Sequence, residues 1–198
     1  KKTTSRFKRT YNKAYPVYDS LAASNVQMER VEKLLTEDAN SGLQLFSKVG
    51  EKYGIVCISA SGKDNIKQKI FPMKSEKVLI IADGAAFGSQ MERIMDLVAI
   101  QPNFHVYLPE SFEWLILQSG LLEDGEINDI LESPEKYVDS LQYFSWERFF
   151  TALLTQRTSN SYLSYTKSKL NPVYLQEQEK DAILSVIPKV QFKNEENL

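Results

Sequence analysis

The acids Glu37, Asp38, Asp83 and Glu113 stand at or just beyond the ends of short apolar runs, where an open parallel sheet delivers side chains to a ligand. Asp83 closes the run Val78-Leu79-Ile80-Ile81-Ala82 and is followed by the small-residue turn Gly84-Ala85-Ala86-Phe87-Gly88. Carboxylates brought together from separate strand ends can share a hard cation, magnesium or manganese, which takes oxygen ligands and keeps several waters. An ion held that way orients a water and stabilises charge on a phosphodiester. Lys63, after Gly62, is placed to neutralise a phosphate. The turn glycines Gly62, Gly84 and Gly88 precede helical spacing, where backbone amides suit an anion. Each residue has a plainer alternative: Asp83 as the cap of its own turn, Glu113 as a solvent-facing helix residue, Lys63 as a loop lysine.

Those side chains need a scaffold, and the pattern over 31–109 supplies one. Short apolar runs alternate with helical spacing, as parallel βα units do. Val31 to Thr36 is predicted as a strand ending at Glu37-Asp38, and Leu43, Phe46, Val49 and Tyr53 predict a helix closed by Gly54. Ile55 to Ala60, Lys77 to Asp83 and Phe104 to Leu108 are the further predicted strands, the last stopped by Pro109. Ser61 with Asp64, and Ser89 with Glu92, have the spacing of polar pairs that cap helix starts. Ser111 to Gln118 is predicted helical up to Gly120. Pro134 suits a first helical position, and Ser145 can cap a helix through Leu154. Further helices are expected near 160–169 and 176–187, with the KNEENL end frayed. The expected fold is thus α/β, a mostly parallel sheet of about four strands with a helical C-terminal region. Its parts are a basic arm and lead-in helix over 1–30, a core over 31–120 and an annex over 121–198.

The 198 residues suffice for one domain, and 42% apolar with 25% charged residues is the balance of a globular protein. A formal net charge of −2 offers no general attraction to nucleic acid, so polyanions would need a local patch. Residues 1–13 are such a patch, with Lys1, Lys2, Arg6, Lys8, Arg9 and Lys13 and no acid; a solvated arm is the plainer alternative. One cysteine, Cys57, excludes an internal disulfide and fits a reducing cytoplasm. No apolar run approaches the roughly 20 residues of a membrane span, so no membrane partner is expected. The chain opens on Lys1-Lys2-Thr3 rather than methionine, which leads us to expect a piece of a longer protein with an upstream part.

The order LLTEDANSG, CISASGKDNI, VLIIADGAAFG resembles the Toprim domain of topoisomerases, primases and related nucleases. The following VYLPESFEWLIL is similar to the strand and glutamate-bearing helix of Toprim-like nucleases of bacterial anti-phage defence. The resemblance covers about residues 31–120. It implies a Toprim-like sheet and a magnesium- or manganese-dependent nuclease, or nuclease-like subunit, acting on DNA or RNA in a defence or mobile-element setting, with an ATPase as a possible partner or upstream domain. Glu37 matches the family's strand-end glutamate, a general base or metal ligand. Asp83 matches the first aspartate of its Asp-x-Asp pair, and Glu113 the later helix glutamate. Three positions depart: Asp38 stands where a glycine is usual, Ser41 where an acid is, and Ala85 where the second aspartate is. Asp38 or Glu113 would have to substitute for it. Ala85 also motivates the alternative, a catalytically inactive Toprim-like module that binds a protein partner or nucleotide. A flavodoxin-like regulatory domain taking a phosphate at the Asp83 turn is the third possibility.

Other motifs are weaker. SASGKD has Cys57 where a P-loop needs its first glycine, and Asp64 where it needs Ser or Thr. GAAFG has too few glycines for a dinucleotide fingerprint. His105 is the single histidine, so a nucleophile-base pair has one possible base and no motif around it. Cys57 reads as a small buried residue. Phe144, Trp146, Phe149 and Phe150 read as core at helical spacing, with stacking on bases as the alternative.

Overall fold

The computed structural model describes residues 31–122, 124–138 and 141–187. The basic arm, the lead-in helix and the KNEENL end expected from the sequence lie outside these residues.

Four parallel strands form the sheet: β1 (Lys33–Thr36), β2 (Val56–Ser59), β3 (Val78–Ile81) and β4 (Phe104–Tyr107), in the order β2-β1-β3-β4. The expected parallel sheet is present. β3, Val-Leu-Ile-Ile, lies inside the sheet with all four residues buried, as a parallel strand covered on both faces requires. Alternation sorts the side chains. Leu34, Leu79, Ile81 and Tyr107 join one core cluster, while Leu35, Val78, Ile80, Phe104 and Val106 join the other.

Helices cover both faces. On the first lie α1 (Ser41–Tyr53), α5 (Phe112–Gln118), α6 (Gly125–Glu132), α7 (Trp146–Thr158) and α8 (Glu177–Ser185). On the second lie α2 (Ile66–Ile70) and α4 (Met91–Ile100), with α3 (Gly84–Phe87) between β3 and α4. The first face is the thicker, because Phe150, Leu154, Leu163, Tyr174 and Ile183 of the annex join Leu34 and Phe46 in one continuous apolar cluster. The annex is therefore part of the core that positions the strand ends, and Phe149 and Phe150 are buried in it, while Phe144 is exposed.

Local chemistry explains most boundaries. α1 ends because Gly54 takes a left-handed conformation, φ 66°, which glycine adopts without Cβ strain. Ser111, Asp124 and Ser145 cap α5, α6 and α7, each accepting a backbone N–H with its side-chain oxygen. Several expectations fail. Ser61 has φ 55° and makes no helix cap; Asp64 instead accepts a hydrogen bond from Gln90 Nε2 at 2.7 Å. α4 begins at Met91 after a 3-10 turn, with no side-chain cap at Gln90. The expected helix over 160–169 is absent, replaced by a tight turn closed by a Thr166–Lys169 bridge. α6 matches none of the expected helices and buries Ile127 and Ile130 on one face.

Candidate functional site

The strand order reverses its direction of growth between β1 and β3: the chain leaves β1 for β2 on one side and returns past it to β3 on the other. Open α/β sheets bind ligands at such a switch point, outside the carboxyl ends. Thr36 pairs with Ile81 as the last register pair, so Glu37 and Asp83 leave adjacent strands side by side.

The ladder continues for a few bonds past the strands. Glu37 N–H donates to Ile81 O at 2.9 Å, and Ala82 N–H to Tyr107 O at 3.2 Å. Asp83 N–H then finds no backbone partner and donates to Glu37 Oε2 at 3.1 Å. One carboxylate oxygen thus finishes the sheet and ties the two acids together. The Asp83 side chain, at the N-cap of α3, makes no capping hydrogen bond, so the plain turn-cap alternative does not describe it. Asp38 instead makes bonds of this kind at the start of α1, where its Oδ2 accepts from Asn40 N–H at 3.1 Å and Gly42 N–H at 2.9 Å. Asp38 O is itself held by Ser59 Oγ at 2.7 Å and Thr36 Oγ1 at 3.0 Å. A Cβ on Gly42 would lie 2.5 Å from Asp38 Oδ1, so this close cap depends on glycine there.

Glu37, Asp38 and Asp83 line a cavity of about 180 Å³ together with Glu113, Glu147, Tyr165 and Lys167. Glu113, placed on α5 by the Ser111 cap, is 2% exposed and accepts a hydrogen bond from Tyr165 O–H at 2.8 Å. It is not a solvent-facing glutamate. Glu147, on the first turn of α7, pairs with Lys167 Nζ. Neither Lys167 nor Tyr165 is legible as a site residue from sequence, because both sit in the turn expected to be helix. Of the phosphate-binding candidates, Gly62 lines the cavity while Lys63 and Gly88 do not. Lys63 is still near enough for its charge to act on Glu37. Gly84 N–H is engaged by Pro109 O at 2.6 Å, and a Cβ there would meet the carbonyls of Leu108 and Pro109 at 3.0 Å. Its amide therefore serves the fold, and the glycine permits close approach of the β4 exit. His105 and Cys57 do not line the cavity; burial lowers the His105 pKa, with Lys77 adding to it, and burial pushes the Cys57 thiol up to about 11, with the Asp38 charge adding to it.

Charge is crowded at this cavity. Burial, then the charges of Glu113, Glu37, Glu147 and Asp38, raise the Asp83 pKa well above the ordinary aspartate range. Burial also raises Glu37, against the opposing pull of the Asp83 amide and Lys63. Neighbouring acids repel protonless partners in this way, and a cation relieves the repulsion.

Among the described residues, no group of three or more His, Cys, Asp or Glu side chains stands at chelating spacing. A closed cage is therefore not what the residues fit. They fit a hydrated divalent ion, which binds through one or two carboxylates and keeps its waters. Glu37 Oε1, both Asp83 oxygens and Glu113 Oε2 have no hydrogen bond to described residues, and all three residues face one cavity. Asp38 is the poorest of the four candidate ligands, since its Oδ2 already holds two amides.

Comparison with protein-family models, curated proteins and solved structures finds no match. No helix among the described residues is long and apolar enough to cross a membrane.

Proposed function

We propose that this chain is a Toprim-like, divalent-metal-dependent phosphodiesterase of nucleic acids, with Glu37 and Asp83 as its paired carboxylates. The observation that carries the proposal is their pairing across the β1/β3 switch point through the Asp83 amide, with the Asp83 carboxylate left uncapped. The acids at the ends of a four-stranded parallel sheet, in the order the Toprim resemblance implies, support the same assignment.

Magnesium or manganese bound here would neutralise charge on a phosphodiester and orient the attacking water. Glu37 keeps one oxygen on the Asp83 peptide, which fixes its rotamer, and turns the other towards the cavity. That free oxygen would be the group to accept a proton from water. Asp83 and Glu113 would supply further oxygens to the ion, and Glu113 is held in place by Tyr165. Lys63, at the β2 exit beside Glu37, is the group for a substrate phosphate. Nucleic acid would approach an otherwise acidic mouth only once a cation had reduced its charge, so substrate and metal bind together.

A second possibility is a Toprim-like module that binds a protein partner or nucleotide without cleaving. Ala85 at the position of the second aspartate favours it. The experiment that separates the two is cleavage of single- and double-stranded DNA and RNA with magnesium or manganese, comparing the protein with Glu37→Gln and Asp83→Asn. The nuclease requires cleavage that falls at least about 100-fold in both variants, the scale of losing a group used in the transition state. Cleavage undiminished in both variants would mean a contaminant or chemistry at another site. Absence of cleavage on every substrate would select the binding module.

A further inference from the structure

We propose that Lys167 is the resident counter-cation of the carboxylate cavity, a tethered ammonium that a divalent ion must displace before the site can act. This rests on the metal-binding function proposed above and adds its regulation.

The annex holds Lys167 over the acids by several independent contacts. Its side chain lines the cavity, and its Nζ is paired with Glu147 Oε1. Its carbonyl accepts a hydrogen bond from Ser41 Oγ at 3.4 Å, which joins it to the first residue of α1. On one side of it Tyr165 is buried against Tyr174, rings 6.3 Å apart, and bonded to Glu113. On the other the turn is closed by the Thr166–Lys169 bridge, with Thr166 Oγ1 donating to Lys169 O at 3.0 Å. The ammonium is thus delivered to the cavity by an anchored turn. The groups facing it are Glu147 from α7, Glu113 from α5 and Asp83 from the β3 exit, and all three charges favour its ionised form against the cost of burial.

The same lysine is 52% exposed at its side chain. A four-carbon stem with that much solvent access can swing out without disturbing the turn. A small hydrated dication on Glu37, Asp83 and Glu113 would compete with the ammonium for the charge of the same acidic cavity, with twice the charge. Lys167 would then be released at the cavity mouth, where a substrate phosphate arrives.

The test is manganese affinity by titration calorimetry, at low salt, for the wild-type chain, Lys167→Met and Lys167→Arg. Lys167→Met keeps the stem and removes the charge. It is expected to bind manganese about tenfold more tightly than wild type, within the range usual for two coupled ligands, while Lys167→Arg stays near wild type. A second readout is the thermal midpoint: Lys167→Met should melt lower than wild type without metal and recover more on manganese addition. Equal or weaker manganese affinity in Lys167→Met overturns the counter-cation role and leaves the metal site standing. No manganese binding by wild type or by Lys167→Met overturns both.

Discussion

Replacing Tyr165 by phenylalanine removes one hydroxyl and almost no volume, so it isolates the bond that holds Glu113. Tyr165 and Glu113 are each 2% exposed, and the O–H lies 2.8 Å from Oε1. Burial and the Glu113 charge both raise the tyrosine pKa, so the hydroxyl remains a donor throughout the physiological range. A hydrogen bond to a charged acceptor is worth about 1.5–3 kcal/mol net, and deleting its donor leaves the acceptor partly desolvated. The expected loss is therefore about 2 kcal/mol. In a chain of this size that is a fall of about 4–8 °C in the melting midpoint. Urea titration should show a lower midpoint with an unchanged slope, because the exposed area on unfolding stays the same. Combining Tyr165→Phe with Glu113→Leu completes a double-mutant cycle, in which the two losses should be clearly less than additive. A loss below about 0.5 kcal/mol, no more than an ordinary surface substitution gives, would refute the reasoning. It would mean that water entering the cavity satisfies Glu113 equally well and that the annex does not position it.

Asp83→Asn should stabilise the apo protein at neutral pH. The folded Asp83 pKa lies above its unfolded value, so the native state binds more protons between the two, and wild-type stability falls as pH rises through that window, by up to about 1.4 kcal/mol per pH unit. The variant's advantage should be full above the folded pKa and vanish near pH 4, as chemical melts across pH would show; an advantage that grows on acidification contradicts the sign. Gly50→Ala should destabilise by about 2 kcal/mol in urea, although alanine is the better helix former by about 1 kcal/mol. Its Cβ would lie 2.2 Å from the carbonyl oxygen of Ile55, whose own N–H donates to Gly50 O at 2.8 Å and ties the α1 exit to β2. Ser111→Ala removes the bond to Trp114 N–H and should cost about 1 kcal/mol, with Glu113 less well fixed and any activity reduced alongside.

The parts of the fold that were legible in the sequence are those set by short-range rules. Val78 to Ile81 could hardly be anything but an inner parallel strand, and Gly54, Ser111 and Ser145 end or begin helices by local geometry. Ser61 with Asp64 has cap spacing too, but Asp64 is taken by Gln90 from another turn, and a long-range partner leaves no trace in spacing. The turn at 161–170 is polar and tyrosine-rich with no helix breaker. It is held open by the Asn171 amide donating to Tyr162 O and Ser164 O and by the Tyr174 hydroxyl on Leu163 O. Such tertiary bonds override propensity. The site divides in the same way. Glu37, Asp83 and Glu113 were readable as strand-end and helix acids, whereas Glu147, Tyr165 and Lys167 reach the cavity only because the annex shares the core of the first face. Asp38 shows the converse: a residue chosen for its acid turns out to cap α1, which a sequence pattern alone cannot distinguish from ligation.

The most direct measurement of the central claim is anomalous diffraction from crystals of the protein soaked in manganese. The expected result is a single strong peak in the cavity within coordination distance of Asp83 and Glu37, about 2.2 Å and so far shorter than any hydrogen bond, and absent from Asp83→Asn crystals. A peak elsewhere, or no peak at manganese concentrations that saturate other carboxylate sites, would contradict the assignment of these two acids as a metal pair.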